Sequence, residues 1–327
     1  MKDLIRIADL SSDDLTRLLE LGGEFKYGTR RHHGLLRDKS VACCFAGPSS
    51  GTRDAFETAI LRLGGVAVPV GPAGLQPGWG EPIEDTARLL SHMAAAIVVE
   101  TRSDDDVRRL AQAATVPVIN AGTAGHHPTQ ALADMLTLRE HFLRLRQLRV
   151  AYLGAATNVA HSLMEVGPLA GIDLTVATPD GYQPRPEVIV QARDRAERHG
   201  GRLHLSCDPV AAVKDAEVVY TDVWLPVANP ESERAACVAT LRPYQVNAAL
   251  MGHASPNAVF LHGSVAHRGD EVTAEVINGA QSLVSVQAEN RLPIAQAVLF
   301  ALVSGELHGA GHDHRRRFGE LIGEVLR

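Results

Sequence analysis

The stretch Phe45–Glu57, FAGPSSGTRDAFE, decides the fold. In front of it, Val41, Ala42, Cys43, Cys44 and Phe45 form an apolar run of strand length. Gly47, Pro48, Ser49, Ser50, Gly51 and Thr52 interrupt that run with turn and cap residues. A helix is predicted from Asp54 through Phe56 and Glu57. Small hydroxyl-bearing residues between a strand and a helix suit an anion, a phosphate above all, because backbone N–H groups converge at a helix N-terminus. The same residues also read as an ordinary Ser/Thr-capped turn.

Working outward, strands and helices alternate. Strands are predicted at 66–70, 95–99 and 116–120, with helices at 83–90 and 107–114 between them. Ser11, Ser12, Asp13 and Asp14 stand where the first helix should be capped. His127-Pro128-Thr129-Gln130 opens a helix that runs to about Arg146. Further strands are predicted at 148–153, 172–176, 202–206, 217–221 and 258–262. A last helix is predicted over 293–307, with Pro293 in its first turn. Alternation of this kind predicts an α/β fold of two doubly wound parallel-sheet domains joined by bridging helices. The expected boundaries are 1–146 and 147–327, with the last helix returning to the first domain. Ligands would then sit at strand C-terminal ends.

Composition narrows the function. Of 327 residues 45% are hydrophobic and 21% charged, which is enough apolar material for full cores. The net charge of −6 and the lack of a basic patch argue against nucleic-acid binding. The four cysteines have no metal spacing, and adjacent Cys43 and Cys44 read as buried thiols in a reducing compartment. No apolar run is long enough for a bilayer and no signal peptide is seen, so a cytoplasmic protein is expected. His312 and His314 in the tail have no converging carboxylates, so no metal site is expected there.

Ser49-Ser50-Gly51-Thr52-Arg53 followed by Asp54-Ala55-Phe56-Glu57 resembles the phosphate-binding signature of the aspartate/ornithine carbamoyltransferase family, Ser-Thr-Arg-Thr-Arg-x-Ser-Phe-Glu. Four more segments carry the resemblance in the same order. His127-Pro128-Thr129-Gln130-Ala131-Leu132-Ala133-Asp134 is similar to His-Pro-x-Gln-x-Leu-x-Asp. Gly154-Ala155-Ala156-Thr157-Asn158-Val159 is similar to Gly-Asp-x-x-Asn-Val, with Ala155 replacing the aspartate. Asp222 in Tyr220-Thr221-Asp222-Val223-Trp224 matches an amino-acid-binding aspartate, although Leu225-Pro226-Val227 follows where ornithine enzymes have Ser-Met-Gly. His262-Gly263-Ser264-Val265 and His267-Arg268-Gly269-Asp270-Glu271-Val272 resemble the His-Cys-Leu-Pro loop and its continuation. Glu289-Asn290-Arg291 matches the final active-site segment.

The resemblance implies carbamoyl transfer, in which an uncharged amine attacks the carbonyl carbon. It assigns His127, Gln130 and Arg291 to the transferred carbamoyl group. Ser49, Ser50, Gly51, Thr52, Arg53 and Glu100 fall at the donor-phosphate positions, and Arg53 mainly pairs structurally. Asn158 would hold the acceptor carboxylate and Asp222 its α-amino group. His262, Gly263 and Ser264 would line the rest of the acceptor site. It also implies small-molecule substrates, no cofactor and a homotrimer.

Two arginines of the family are missing. Gly51 stands at one and Glu100 at the other, and each lost charge-assisted hydrogen bond costs about 1.5–3 kcal/mol. Arg102, two residues on, would share a face with Glu100 on an extended strand and could compensate. Gly263 removes the cysteine that contacts the acceptor amine. Three readings follow: a carbamoyltransferase of a specialised pathway; the same fold with a non-phosphate donor or a lyase-type reaction on a ureido or guanidino amino acid; or a non-catalytic amino-acid-binding relative.

Overall fold

The structure is a computed structural model that describes residues 1–29, 34–45, 50–71, 82–224, 231–263 and 265–309. Ser49, Ser264, Leu225-Pro226-Val227 and the tail from Ala310 lie outside these. The chain divides into two compact units, Met1–Leu136 with Glu289–Arg327, and Thr137–Ala288.

The first unit begins with α1 (Ser12–Lys26). It continues through β1 (Ser40–Phe45), α2 (Ser50–Arg62), β2 (Val66–Val70), α3 (Ile83–Met93), β3 (Ile97–Glu100), α4 (Asp104–Ala113) and β4 (Val118–Gly122). The helix α5 (Pro128–Phe142) then leads out of it. The sheet is parallel throughout, in the order β2-β1-β3-β4. Parallel strands need cover on both faces, and β1, β3 and β4 are accordingly buried almost end to end. The outer edge of β4 is closed by the N-terminal segment, where Leu4 N–H donates to Val118 O and Asn120 N–H to Leu4 O.

Asp14 locks the start of α1. It accepts from Ser11 N–H and hydroxyl in a capping box. It also accepts from the backbone N–H groups of His308 and Gly309 at 2.8 and 2.7 Å. These donors hold its carboxyl below the usual range even though burial pushes the other way.

The second unit holds β5 (Arg149–Leu153), α6 (Asn158–Leu169), β6 (Asp173–Ala177), α7 (Pro186–His199), β7 (Arg202–Ser206), α8 (Pro209–Val213) and β8 (Val218–Thr221). After these come α9 (Glu231–Leu241), α10 (Ala248–Met251), β9 (Val259–His262), α11 (Ala274–Ile277) and the start of α12 (Val284–Ser304). Its parallel sheet has the order β7-β6-β5-β8-β9. Phe260, Val219, Leu153 and Val246 lie in its core. Both sheets bear out the expected α/β class.

Three expectations need correction. Helix α2 starts at Ser50, four residues before Asp54, because Gly51 and Thr52 join its first turn. The last helix runs over 284–304 rather than 293–307, so Pro293 lies inside it. One backbone bond is lost there, and burial of Ile294, Ala297, Val298 and Leu299 offsets the loss. Arg102 lies beyond the end of β3, and its side chain is exposed rather than sharing a strand face with Glu100. Among the described residues no helix is long and apolar enough to cross a membrane.

Candidate functional site

In the first unit the strand C-terminal ends bring Gly51, Glu100, Gly122 and the start of α5 together with Arg291 of α12. Arg53 packs against Phe45 and pairs with Glu57. Its guanidinium carbon lies 5.4 Å from the centre of the Phe45 ring, and Nε is 3.8 Å from Glu57 Oε1. Thr52 is buried. A β-carbon on Gly51 would lie 2.5 Å from Arg291 Nη1, so the Arg291 guanidinium rests on the first turn of α2 where only hydrogen is present. Lys26 at the end of α1 steadies the same segment, donating to Asn290 Oδ1 at 2.8 Å and pairing with Glu289 at 3.6 Å.

Glu100 ends β3 at an irregularity in its pairing with β4, opposite Gly122. Gly122 has φ +149, and a β-carbon there would lie 3.5 Å from Glu100 Cγ and 3.8 Å from His127 Nε2. A glycine is therefore required by backbone conformation, and it lets the carboxylate and the imidazole flank one spot. Burial, and then the positive charge of Arg291, pull the His127 pKa down to about 3. At neutral pH the ring is uncharged, with one N–H to donate and one nitrogen to accept.

Gln130, one turn along α5, is 1% exposed. Its Nε2 donates to Asp134 Oδ1 at 2.7 Å, which fixes the amide's orientation. Its Oε1 accepts no hydrogen bond among the described residues. A neutral imidazole and an orphan amide oxygen one helical turn apart offer a donor and an acceptor. A carbamoyl group presents the complement, a carbonyl oxygen and an amide N–H.

In the second unit, Thr157 caps α6 and donates to Asp222 Oδ2 at 2.7 Å. Asn158 is the first residue of α6 and half-buried, at the helix end that favours a carboxylate. Asp222 follows β8 and is 3% exposed. Burial raises its pKa, opposed by His262, Thr157 and the Val223 N–H. Its Oδ1 accepts no hydrogen bond of ordinary geometry among the described residues. His262, the last residue of β9, has Nε2 3.1 Å from buried Glu271 Oε1, and its N–H donates to Gln287. Gly263 lies directly against the Asp222 carboxylate.

Ser49 and Ser264 lie outside the described residues. The rest of the expected set divides as the chain does: Ser50, Gly51, Thr52, Arg53, Glu100, His127, Gln130 and Arg291 in the first unit, and Asn158, Asp222, His262 and Gly263 in the second. Lys26 and Gly122 escaped a functional reading of the sequence, and Asp134 was quoted with its motif but given no role. Gly122 directly follows a strand-like run, which is a usable signal, while Lys26 carries none.

The family models for the aspartate/ornithine carbamoyltransferase carbamoyl-phosphate-binding domain and Asp/Orn-binding domain match residues 2–140 and 146–302. The ornithine carbamoyltransferase of Carboxydothermus hydrogenoformans is 42% identical over 304 residues, covering 92% of this chain and 97% of that one. The anabolic ornithine carbamoyltransferase of Pyrococcus furiosus is 44% identical over 306 residues, covering 93% and 96%. A solved structure of ornithine carbamoyltransferase from Pyrococcus furiosus superposes with a TM-score of 0.89 at 43% identity, covering 94% of this chain and 98% of that one.

Proposed function

Because this chain belongs to the aspartate/ornithine carbamoyltransferase family, we propose that it transfers a carbamoyl group to the side-chain amine of an amino acid, in the manner of an ornithine carbamoyltransferase. The observation that carries this reading is the pair at the start of α5: neutral His127 just before the helix and the orphan Oε1 of Gln130 in its first turn. Gln130 accepts the carbamoyl N–H. His127 donates to the carbonyl oxygen, and Arg291 stabilises the charge that grows on that oxygen when the amine attacks. Phosphate leaves from carbamoyl phosphate, and no covalent enzyme intermediate is needed. Residues 1–146, with the returning helix, hold the donor. Residues from 147 hold the amino acid through Asn158 and Asp222.

Arg291 supports the donor reading at Gly51, since its guanidinium lies on the α2 turn where the signature's arginine is absent. Glu100 favours a second reading. A carboxylate flanking His127 disfavours a phosphate dianion and suits a neutral or cationic ureido or guanidino group. The assembly is a homotrimer, supported by exposed Leu61, Val66, Val68, Leu89 and Met93 on α2, β2 and α3. The compartment is the cytoplasm, supported by free Cys43 and Cys44 in the first core.

The test is citrulline formation from carbamoyl phosphate and L-ornithine, together with calorimetric titration of carbamoyl phosphate. Turnover with micromolar binding supports the standard donor. No binding up to millimolar, with activity on a ureido or guanidino amino acid, supports the second reading. Neither activity removes both.

A further inference from the structure

From Glu289 onward α12 belongs to the first unit, and α1 lies along it. Arg17 pairs with Glu306, just past the end of α12, at 2.8 Å. The Phe25 and Phe300 rings meet edge-on with centroids 5.9 Å apart. At the end of α1, Lys26 reaches the turn that carries Arg291. Its Nζ donates to Asn290 Oδ1 at 2.8 Å and lies 3.6 Å from Glu289 Oε2. The two partners differ. The Glu289 side chain is 63% exposed, so its ion pair contributes little. Asn290 is buried and the Lys26 side chain is 13% exposed, so the bond between them is charge-assisted and shielded from water. Arg291 follows directly. Its Nη1 lies over Gly51 in the first turn of α2, and its charge acts on His127. The turn that carries this guanidinium is thus tied to α1 by a largely buried ammonium.

We propose that Lys26 is a positioning residue for the transfer step: by holding Asn290 it fixes the α12 turn from which the Arg291 guanidinium reaches the start of α2 and the carbamoyl oxygen. The inference rests on Arg291 acting at that oxygen in the proposed reaction. Lys26 itself touches no substrate. Its effect falls on rate rather than on acceptor affinity. A donor to a developing oxyanion works only when it is aligned beforehand, and a misplacement of about 1 Å costs on the order of 10²-fold. A methionine at 26 keeps the apolar stem and loses only the donor. Helix α12 then stays docked through Arg17 and Phe25, while the turn before Arg291 is released.

The experiment is steady-state carbamoylation of L-ornithine by carbamoyl phosphate, at a temperature where denaturant melts show every variant folded. Wild type is compared with Lys26→Met, Lys26→Arg, Arg291→Gln and the double variant Lys26→Met with Arg291→Gln. Lys26→Met is expected to lower kcat by roughly tenfold to 10²-fold, with the acceptor KM within about threefold of wild type. Lys26→Arg, which can still donate to Asn290, is expected to keep kcat within about threefold of wild type. The double variant is expected to match Arg291→Gln alone within about threefold, since both changes act through one guanidinium. A kcat loss under about threefold in Lys26→Met, an equal loss in Lys26→Arg, a raised acceptor KM, or losses that multiply in the double variant would overturn the proposal. If Lys26→Met does not fold, Lys26→Gln is read against the same limits, and failure of both to fold overturns the proposal because the lysine then serves the fold. Wild type without citrulline formation removes the transfer reading. The seat of Arg291 is then read by NMR from the His127 ring, whose midpoint should rise in Lys26→Met as in Arg291→Gln. A midpoint equal to that of wild type removes the positioning as well. Carbamoylation with an unchanged kcat in Lys26→Met removes the positioning only.

Discussion

Neutral His127 makes the most direct prediction. Its pKa is pulled from the usual 6.5 to about 3, a displacement worth roughly 5 kcal/mol at about 1.4 kcal/mol per pH unit for a wholly desolvated ring. The residue as a whole is only half-buried, so roughly 2–4 kcal/mol is the better expectation. The sign follows from proton counting. Between pH 6.5 and 3 the unfolded chain holds a proton on this residue that the folded protein does not. Stability is therefore complete above about pH 6.5 and is lost as pH falls toward 3. The perturbation is His127→Gln, with denaturant melts at pH 7.5 and 4.5. Wild type should lose roughly 2 kcal/mol more than the variant between these conditions. NMR titration of the ring carbons should show no midpoint between pH 5 and 8. In Arg291→Gln the midpoint should rise but stay below that of an exposed histidine, since burial is the larger cause. A His127 midpoint between 5.5 and 7 would refute the reasoning, and with it a purely neutral donor to the carbamoyl oxygen.

Four further outcomes are expected. Glu100→Gln should tighten carbamoyl phosphate by roughly 10²-fold, because a like charge about 5 Å away at an effective dielectric of about 20 costs about 3 kcal/mol; unchanged affinity in calorimetry counts against Glu100 facing the donor. Gln130→Leu should lower kcat/KM by roughly tenfold or more while leaving the acceptor KM near wild type, as steady-state kinetics would show. Asp222→Asn should raise the apo melting temperature at pH 7 by about 2–4 °C per kcal/mol relieved. The raised folded pKa of Asp222 means that ionisation costs stability as pH rises through it, so the gain should shrink in acid. Asp14→Ala should destabilise the first unit by roughly 2–4 kcal/mol through the loss of several hydrogen bonds; with its folded pKa lowered, wild type should keep this advantage above about pH 4 and lose it as pH falls through the lowered value.

The sheets were legible because their strands are short apolar runs bounded by Gly, Pro and cap residues, as Val118-Ile119-Asn120 and Val218–Thr221 illustrate. The order of the motifs was legible for the same reason. The start of α12 was not. Val284-Ser285-Val286-Gln287 alternates like a strand, and Pro293 reads as a helix start, yet tertiary bonds from Gln287 to Tyr220 and His262 hold the segment in place. The Arg102 expectation failed because it assumed that β3 continues, whereas the pairing slips at Glu100. The seats of Arg291 on Gly51 and of Asp222 on Gly263 were illegible in principle. Each is a contact between residues far apart in the chain, and a glycine announces only that a side chain is missing.

Asp14 bonds the backbone at His308 and Gly309, so the first unit is closed by the end of the described chain. During synthesis this inverts the usual order. The second unit has every residue it needs once Ala288 has left the ribosome. The half that begins the chain must wait, with the strand ends around Glu100 and Gly122 still lacking Arg291, until translation passes Gly309. An arrest stalled between these points would present a finished second unit beside an unfinished first one.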